Sequence, residues 1–227
     1  PNSPRPSWFI RSPELIPSSP NLLDPMSMLR FPTAAAIAVL SLMTQIPVAE
    51  AQLSPLATML TSTEAHTYAG PEGGSLPYRM LRPLKVEEGE TYPLLLFLHG
   101  AGERGVDNAR QLVWSEPLGD GGLRARHPAY VVIPQCPADP LPMDLKTSWT
   151  TKLPLKDKKA LPVFSEEPAA AMALVMQLVD SLLEELPIDK QRVYVAGLSM
   201  GGFGTWDLAM RRPELPAAIV PICGGAD

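Results

Sequence analysis

Gly197-Leu198-Ser199-Met200-Gly201 stands between a short apolar run, Arg192 to Ala196, and a helical stretch whose expected buried stripe is Trp206, Leu208 and Met210, and it restricts the fold more than any other feature. A G-x-S-x-G placed between strand and helix puts its serine on a tight, strained turn. The glycines on either side let neighbouring backbone pass without a Cβ clash. Gly197 and Gly201 hold those positions. Ser199 then projects beyond the sheet at a helix N-terminus, where the dipole and free N–H groups favour negative charge. The pentapeptide by itself occurs by chance in glycine-rich turns; the strand before it and the helix after it make Ser199 a candidate nucleophile.

The surrounding pattern predicts the sheet. Tyr92 to Leu98 is a continuous apolar run, as expected of a strand covered on both faces. Similar runs occupy Ala129 to Ile133 and Ala217 to Ile222. Between them the clearest helix runs from Pro168 to Leu186, with Met172, Val175, Met176, Val179, Leu182 and Leu183 at helical spacing and Pro187 ending it. Strands alternating with helices imply right-handed crossovers and a mostly parallel sheet with helices on both faces. Ahead of it, Ala65 to Ala69 and Leu76 to Leu81 flank Gly73-Gly74 and predict an antiparallel hairpin. Segment 135–164, with its prolines and the Lys156 to Lys159 cluster, has no period and reads as a long surface loop over the site.

The front of the chain reads differently. Residues 1–27 are crowded with Pro and Ser and are expected to be a non-native or disordered leader. Residues 28–51 carry Arg30, an apolar stretch from Thr33 to Met43 and a small-x-small site at Ala49-Glu50-Ala51, the layout of a secretory signal peptide. The true start would be Met26 or Met28. Gln45, Pro47 and Glu50 cut the apolar run short of a membrane span, so no stable span is expected after cleavage and the protein is expected to be secreted or periplasmic. These two segments hold three basic and three acidic residues, so residues 52–227 keep the whole net charge of -5. That balance argues against a nucleic-acid partner.

A second group of residues sits at the end of the run Tyr92 to Leu98. His99-Gly100-Ala101-Gly102 forms a turn that can aim the N–H of Ala101 at the spot where the N–H of Met200 also points, and together these would make an oxyanion hole. In this arrangement His99, Gly100 and Gly102 shape the loop, and His99 is not the base. Glu103, Arg104 and Asp107 either orient this turn or form a solvated charged loop. Trp149 either lines an acyl pocket or covers apolar surface.

With these stretches in order, Leu98 to Gly105 with Asp107 and Asn108, Pro134-Gln135-Cys136-Pro137, Ala196 to Gly202 and Pro221 to Gly225, the chain resembles exported bacterial esterases. These are grouped with polyhydroxybutyrate-depolymerase-like and phospholipase/carboxylesterase α/β hydrolases. The resemblance covers about Thr63 to Asp227. It implies an α/β-hydrolase fold and a Ser-His-Asp triad acting through an acyl-enzyme on small-molecule or polymeric carboxylic esters, without metal or cofactor. It also implies that the acid and the histidine lie later than Asp227, so that the fold is incomplete at its C-terminus and these residues alone are inactive. His66 and His127 are poor bases by position, and Asp227 follows a strand that only a minority of such folds use for the acid.

In the strand order usual for the fold, Cys136 and Cys223 would lie about 14 Å apart, beyond the reach of about 7 Å that a disulfide allows, so free thiols are expected. Two rivals stay open. One is a serine peptidase of the prolyl-oligopeptidase kind, weakened because Gln52 and the first strand leave no room for a gating domain. The other is an inactive hydrolase-like binding module. An uncovered apolar strand from Ala217 to Ile222 would also make residues 52–227 prone to aggregate.

Overall fold

Tyr92–Leu98 forms a central strand, β3, with a parallel neighbour on each side: β4, Tyr130–Pro134, and β5, Ile188–Leu198. The computed structural model describes residues 54–138, 148–151 and 165–225. The leader at 1–27, the signal segment at 28–51, Asp227 and most of the loop at 135–164 lie outside them. The hairpin is present as β1, Glu64–Ala69, and β2, Ser75–Leu81, joined through Gly73 and Gly74 at positive φ. β2 pairs antiparallel with β4, and β6, Ala218–Ile222, pairs parallel with β5. Among the described residues the order is β1-β2-β4-β3-β5-β6.

Register decides where the chemistry can sit. Leu98 lies opposite Gly197, and Leu198 opposite Ile222. The C-terminal ends of β3, β5 and β6 therefore finish level, and His99, Ser199 and Cys223 leave the sheet along one edge. This is the edge at which open parallel sheets carry their sites.

Alternation along β3 divides the core between two faces. Leu94, Leu96 and Leu98 pack with Val193, Val195 and the buried stripe of helix α3, Ala170–Glu185, formed by Met172, Val175, Leu178, Val179 and Leu182. (Helices α1, Pro55–Ser62, and α2, Gly121–Arg126, come earlier in the chain.) Phe97, with Leu81, Val131 and Ile133, faces the other way onto Met59 of α1 and Leu112. Each such side chain, fully buried, contributes about 1.5–3 kcal/mol. α1 lies outside the elements the apolar periodicity predicts, although Ser54 and Pro55 carry a start signal: the Ser54 Oγ accepts from the N–H of Ala57 at 3.2 Å, and Pro55 fills the first turn.

The helix after Ser199, α4, spans Met200–Arg211. Its buried face differs from the expected Trp206, Leu208, Met210 stripe: Gly201, Gly204, Thr205 and Leu208 are buried, Trp206 is half-buried and Met210 is exposed. The helix lies so close to β3 that glycine, rather than a large side chain, faces inward.

Near its end Arg211 pairs with Asp207 at 2.7 Å, both side chains almost wholly buried. The same guanidinium donates to the carbonyls of Ser165 and Glu166 at 2.8 Å, tying α4 to the segment that enters α3. Burial pushes the Asp207 carboxyl up from its ordinary range, and Arg211 pulls against that shift.

β6 occupies one edge of the described sheet, with Val220 and Ile222 exposed. No helix of the described residues is long and apolar enough to cross a membrane. A cavity of about 670 Å³ opens at the N-terminal ends of the strands, between Tyr92, Pro93, His127, Ala129 and Arg192. It is at the end of the sheet opposite Ser199, and no substrate held there could meet that hydroxyl.

Removing the Asp207 carboxylate takes from the buried Arg211 guanidinium the carboxylate paired with it at 2.7 Å. Asp207→Ala is expected to lower unfolding free energy by about 3 kcal/mol, read as a drop in the urea midpoint at unchanged m-value.

Candidate active site

Ser199 sits at the junction of β5 and α4 with φ 54° and ψ −112°, outside the regions a side-chain-bearing residue prefers. Its N–H donates to the carbonyl of Ile222 at 2.7 Å, and its carbonyl accepts from Phe203 N–H at 3.1 Å. The turn is thus fastened to β6 on one side and to the first turn of α4 on the other. A methyl group at Gly197 would overlap the carbonyl of Gly201, and one at Gly201 would overlap the carbonyl of Leu98. Both glycines are demanded by this approach. Ser199 itself is solvent-exposed.

The turn after β3 lies against it. A methyl group on Gly100 would stand 3.8 Å from the Ser199 Cβ and 2.9 Å from Glu103 Oε2, so the nucleophile and that carboxylate border the same small volume. Ala101 opens a short 3-10 turn, Ala101–Glu103, and Met200 opens α4. The first N–H groups of a helical segment have no acceptor within it.

His99 is buried, and its ring fixes this turn. The N–H of Cys136 donates to Nε2 at 2.9 Å, so Nε2 carries no proton, and Nδ1–H therefore donates to the carbonyl of Gly100 at 2.6 Å. Burial lowers its pKa from 6.5 to about 4, against the opposing pull of the Gly100 carbonyl, so the ring is neutral at pH 7. Trp149 is fully buried beside it, edge-on at 5.1 Å between ring centres, and its indole N–H donates to the His99 carbonyl at 2.9 Å.

Beyond the turn the loop is pinned by residues that their pattern in the sequence does not mark. Gln135, fully buried after β4, donates to the carbonyl of Glu103 at 3.2 Å and to Asp107 Oδ1 at 2.9 Å, and accepts from Asn108 N–H at 2.7 Å. Asn108, at φ 51°, donates to the carbonyls of His66 and Tyr78 across the hairpin. Asp107 also accepts from the N–H groups of Ala109 and Arg110, and these bonds hold its pKa below the usual range despite partial burial. Arg104 donates to the carbonyl of Ala101 at 3.0 Å. Of the two readings of this charged loop, the orienting one matches the structure. Gln135 and Asn108 stand in the stretches that carry the family resemblance, but a glutamine next to a strand end and an asparagine in a polar loop do not themselves name what they pin.

The chain has three histidines, and all are placed. His99 has both ring nitrogens engaged with backbone. His66 lies on β1, contacts Glu64 at 3.1 Å and stacks on Tyr78. Three strands separate β1 from β5, roughly 19 Å at about 4.8 Å per step. His127 lines the cavity at the opposite end of the sheet. None can take a proton from Ser199. Cys136 and Cys223 form no disulfide, as expected; they follow β4 and β6, with β3 and β5 between.

The family described as Phospholipase/Carboxylesterase matches residues 84–226. The crystal structure of a thermostable esterase is 39% identical with a TM-score of 0.60, over 74% of this chain and 43% of that one. A ferulic acid esterase, 19% identical with a TM-score of 0.50 over 69% of this chain and 58% of that one, shares the fold. Poly(3-hydroxyalkanoate) depolymerase C of Paucimonas lemoignei is 43% identical over 51 residues, 22% of this chain and 12% of that protein. The chain thus spans less than half the length of the thermostable esterase and a small part of the depolymerase.

The buried neutral ring has a consequence for acid stability. In the unfolded chain His99 takes a proton below 6.5, while in the folded chain it resists until about 4. Stability contributed above the unfolded pKa is therefore lost as pH falls through this window, by about 3 kcal/mol in all. Urea midpoints measured across it are expected to fall, and His99→Gln, which keeps a donor and an acceptor but does not titrate, to flatten the slope. An unchanged slope in that variant would assign the acid sensitivity to other groups.

Proposed function

The chain belongs to the phospholipase/carboxylesterase family and has the α/β-hydrolase fold, and on that premise we propose that it cleaves carboxylic esters through a covalent acyl-enzyme on Ser199. The observation that carries this reading is the elbow itself: a solvent-exposed serine at φ 54°, first in line at a helix N-terminus, beside a turn whose leading N–H is free of its own helix.

In this mechanism the Ser199 Oγ attacks the ester carbonyl carbon as its proton passes to a general base. The carbonyl oxygen becomes an oxyanion held by the N–H groups of Ala101 and Met200. Collapse expels the alcohol, which takes up the proton, and leaves the acyl group on Oγ. Water then attacks the acyl carbon by the same route, releasing the acid and restoring the serine.

The peptide linking Gly100 to Ala101 supports the assignment of the first donor. Its carbonyl is turned to His99 Nδ1–H, and the N–H of a trans peptide points opposite to its carbonyl. The base is another matter. With His66, His99 and His127 all committed elsewhere, none of the three histidines is the general base of this mechanism. These residues alone then hydrolyse esters slowly, since an unassisted serine hydroxyl is a weak nucleophile. The signal-peptide layout of residues 28–51 supports a reading in which the protein is exported and meets its ester outside the cytoplasm.

The test uses the complete gene product on p-nitrophenyl acetate beside Ser199→Ala. The substitution is expected to lower kcat by at least about 10³-fold with the fold intact by circular dichroism. Hydrolysis that survives it would overturn the reading, and a folded but inactive parent protein would favour a binding module.

A further inference from the structure

Trp149 is fully buried, and its indole N–H has a defined acceptor in the carbonyl of His99. The next carbonyl along, that of Gly100, is taken by His99 Nδ1–H. Two consecutive peptide groups therefore have their carbonyl ends clamped, one by an indole and one by an imidazole that is itself set by Cys136 N–H. A trans peptide whose carbonyl is held cannot flip its N–H without breaking that bond. The clamped pair are the peptides leading to Gly100 and Ala101, the segment that lies against the Ser199 Cβ.

The indole also has a built seat. A methyl group on Gly204 would stand 2.6 Å from the Trp149 Cβ and 3.1 Å from Leu98 Cδ1. Helix α4 therefore yields a side chain at this position, and Trp149 bridges the helix that carries Ser199 to the turn beside it. Its ring meets His99 edge-on, in a geometry that fixes the tilt of the imidazole as well as its height.

We propose that Trp149 is a positioning residue for the oxyanion turn, holding the His99 carbonyl so that the Ala101 N–H stays aimed at the developing oxyanion. The inference rests on the acyl-enzyme reading above. It assigns Trp149 a part in stabilising the transition state and none in binding the ground-state ester. Donors aimed where charge develops act on kcat, whereas a pocket wall acts on KM. Loss of an oxyanion donor costs about 10²–10³-fold in kcat, and a donor that is present but no longer held should cost less, about 10- to 100-fold.

The experiment measures kcat and KM of the complete gene product on p-nitrophenyl acetate for Trp149→Phe, with Ser199→Ala and Leu178→Ala alongside. Trp149→Phe keeps an aromatic ring and removes the N–H. The expected result is a kcat lowered about 10- to 100-fold with KM within about twofold. Leu178 is buried on the core-facing stripe of α3 and makes none of this turn's hydrogen bonds, so Leu178→Ala should lose stability and keep kcat. A kcat within twofold of the parent for Trp149→Phe, or a raised KM at unchanged kcat, overturns the inference, the latter by making Trp149 a pocket wall. Should Trp149→Phe not fold, Gly204→Ala, which displaces the indole without removing it, carries the same expectation and the same overturning result. Activity remaining in Ser199→Ala would instead sink the acyl-enzyme reading, so the two failures are told apart.

Discussion

Helix α4 approaches the end of β3 so closely that no Cβ fits between Gly201 and the Leu98 carbonyl, and the arrangement of the whole edge follows from that contact. Bringing the helix so near forces the turn between β5 and α4 to be tight, and the tightness is absorbed by Ser199, held at φ 54° and ψ −112°. Such a conformation costs about 1–3 kcal/mol and persists only where surrounding structure over-determines it. Here the surroundings are the bond from Ser199 N–H to Ile222, the burial of Leu98, Met200 and Leu208, and the fit of Gly202 against Gly224. Strain at the serine and packing behind it are two sides of one geometry. A helix set a few tenths of an ångström further out would relax the turn and withdraw the hydroxyl from the Gly100 segment.

Beside this contact His99 works by fixed dipoles rather than by charge. His99 is neutral at pH 7 because its ring is buried, and that neutrality lets one nitrogen donate and the other accept. A protonated ring would have two donors and would repel Cys136 N–H. The same division of roles disqualifies it as the base for Ser199. Arg104 and Asp107 carry charge nearby, and they also bond loop backbone at Ala101, Ala109 and Arg110 and the Gln135 amide. The turn is therefore held by a network of directional bonds, which keep their aim whether or not a substrate is present.

Much of this was legible in the residues alone, for reasons specific to each. The parallel strands announce themselves because burial on both faces requires continuous apolar runs, as in Tyr-Pro-Leu-Leu-Leu-Phe-Leu at 92–98. The elbow is legible because close approach admits only glycine, and a glycine two residues either side of a serine after a strand has few other causes. The helix face of α4 was misjudged for the same physical reason seen from the other side. Large apolar residues mark a buried stripe only when there is room for them, and here Gly201 and Gly204 take the inward positions while Met210 turns to solvent. The parts of Gln135, Asn108 and Trp149 were not legible. Each acts through hydrogen bonds across long sequence separations, and nothing in a residue's type or local spacing names its distant partner.

Those long-range bonds also explain how a stretch without periodicity contributes to an ordered site. The chain between β4 and α3 has no apolar repeat to dock it. It meets the domain at separate points: Gln135 and Cys136 at its start, Trp149 in the middle, and the carbonyls of Ser165 and Glu166 under Arg211 at its end. Two of these points bear on the turn beside Ser199, and the third grips the far end of the helix that Ser199 begins.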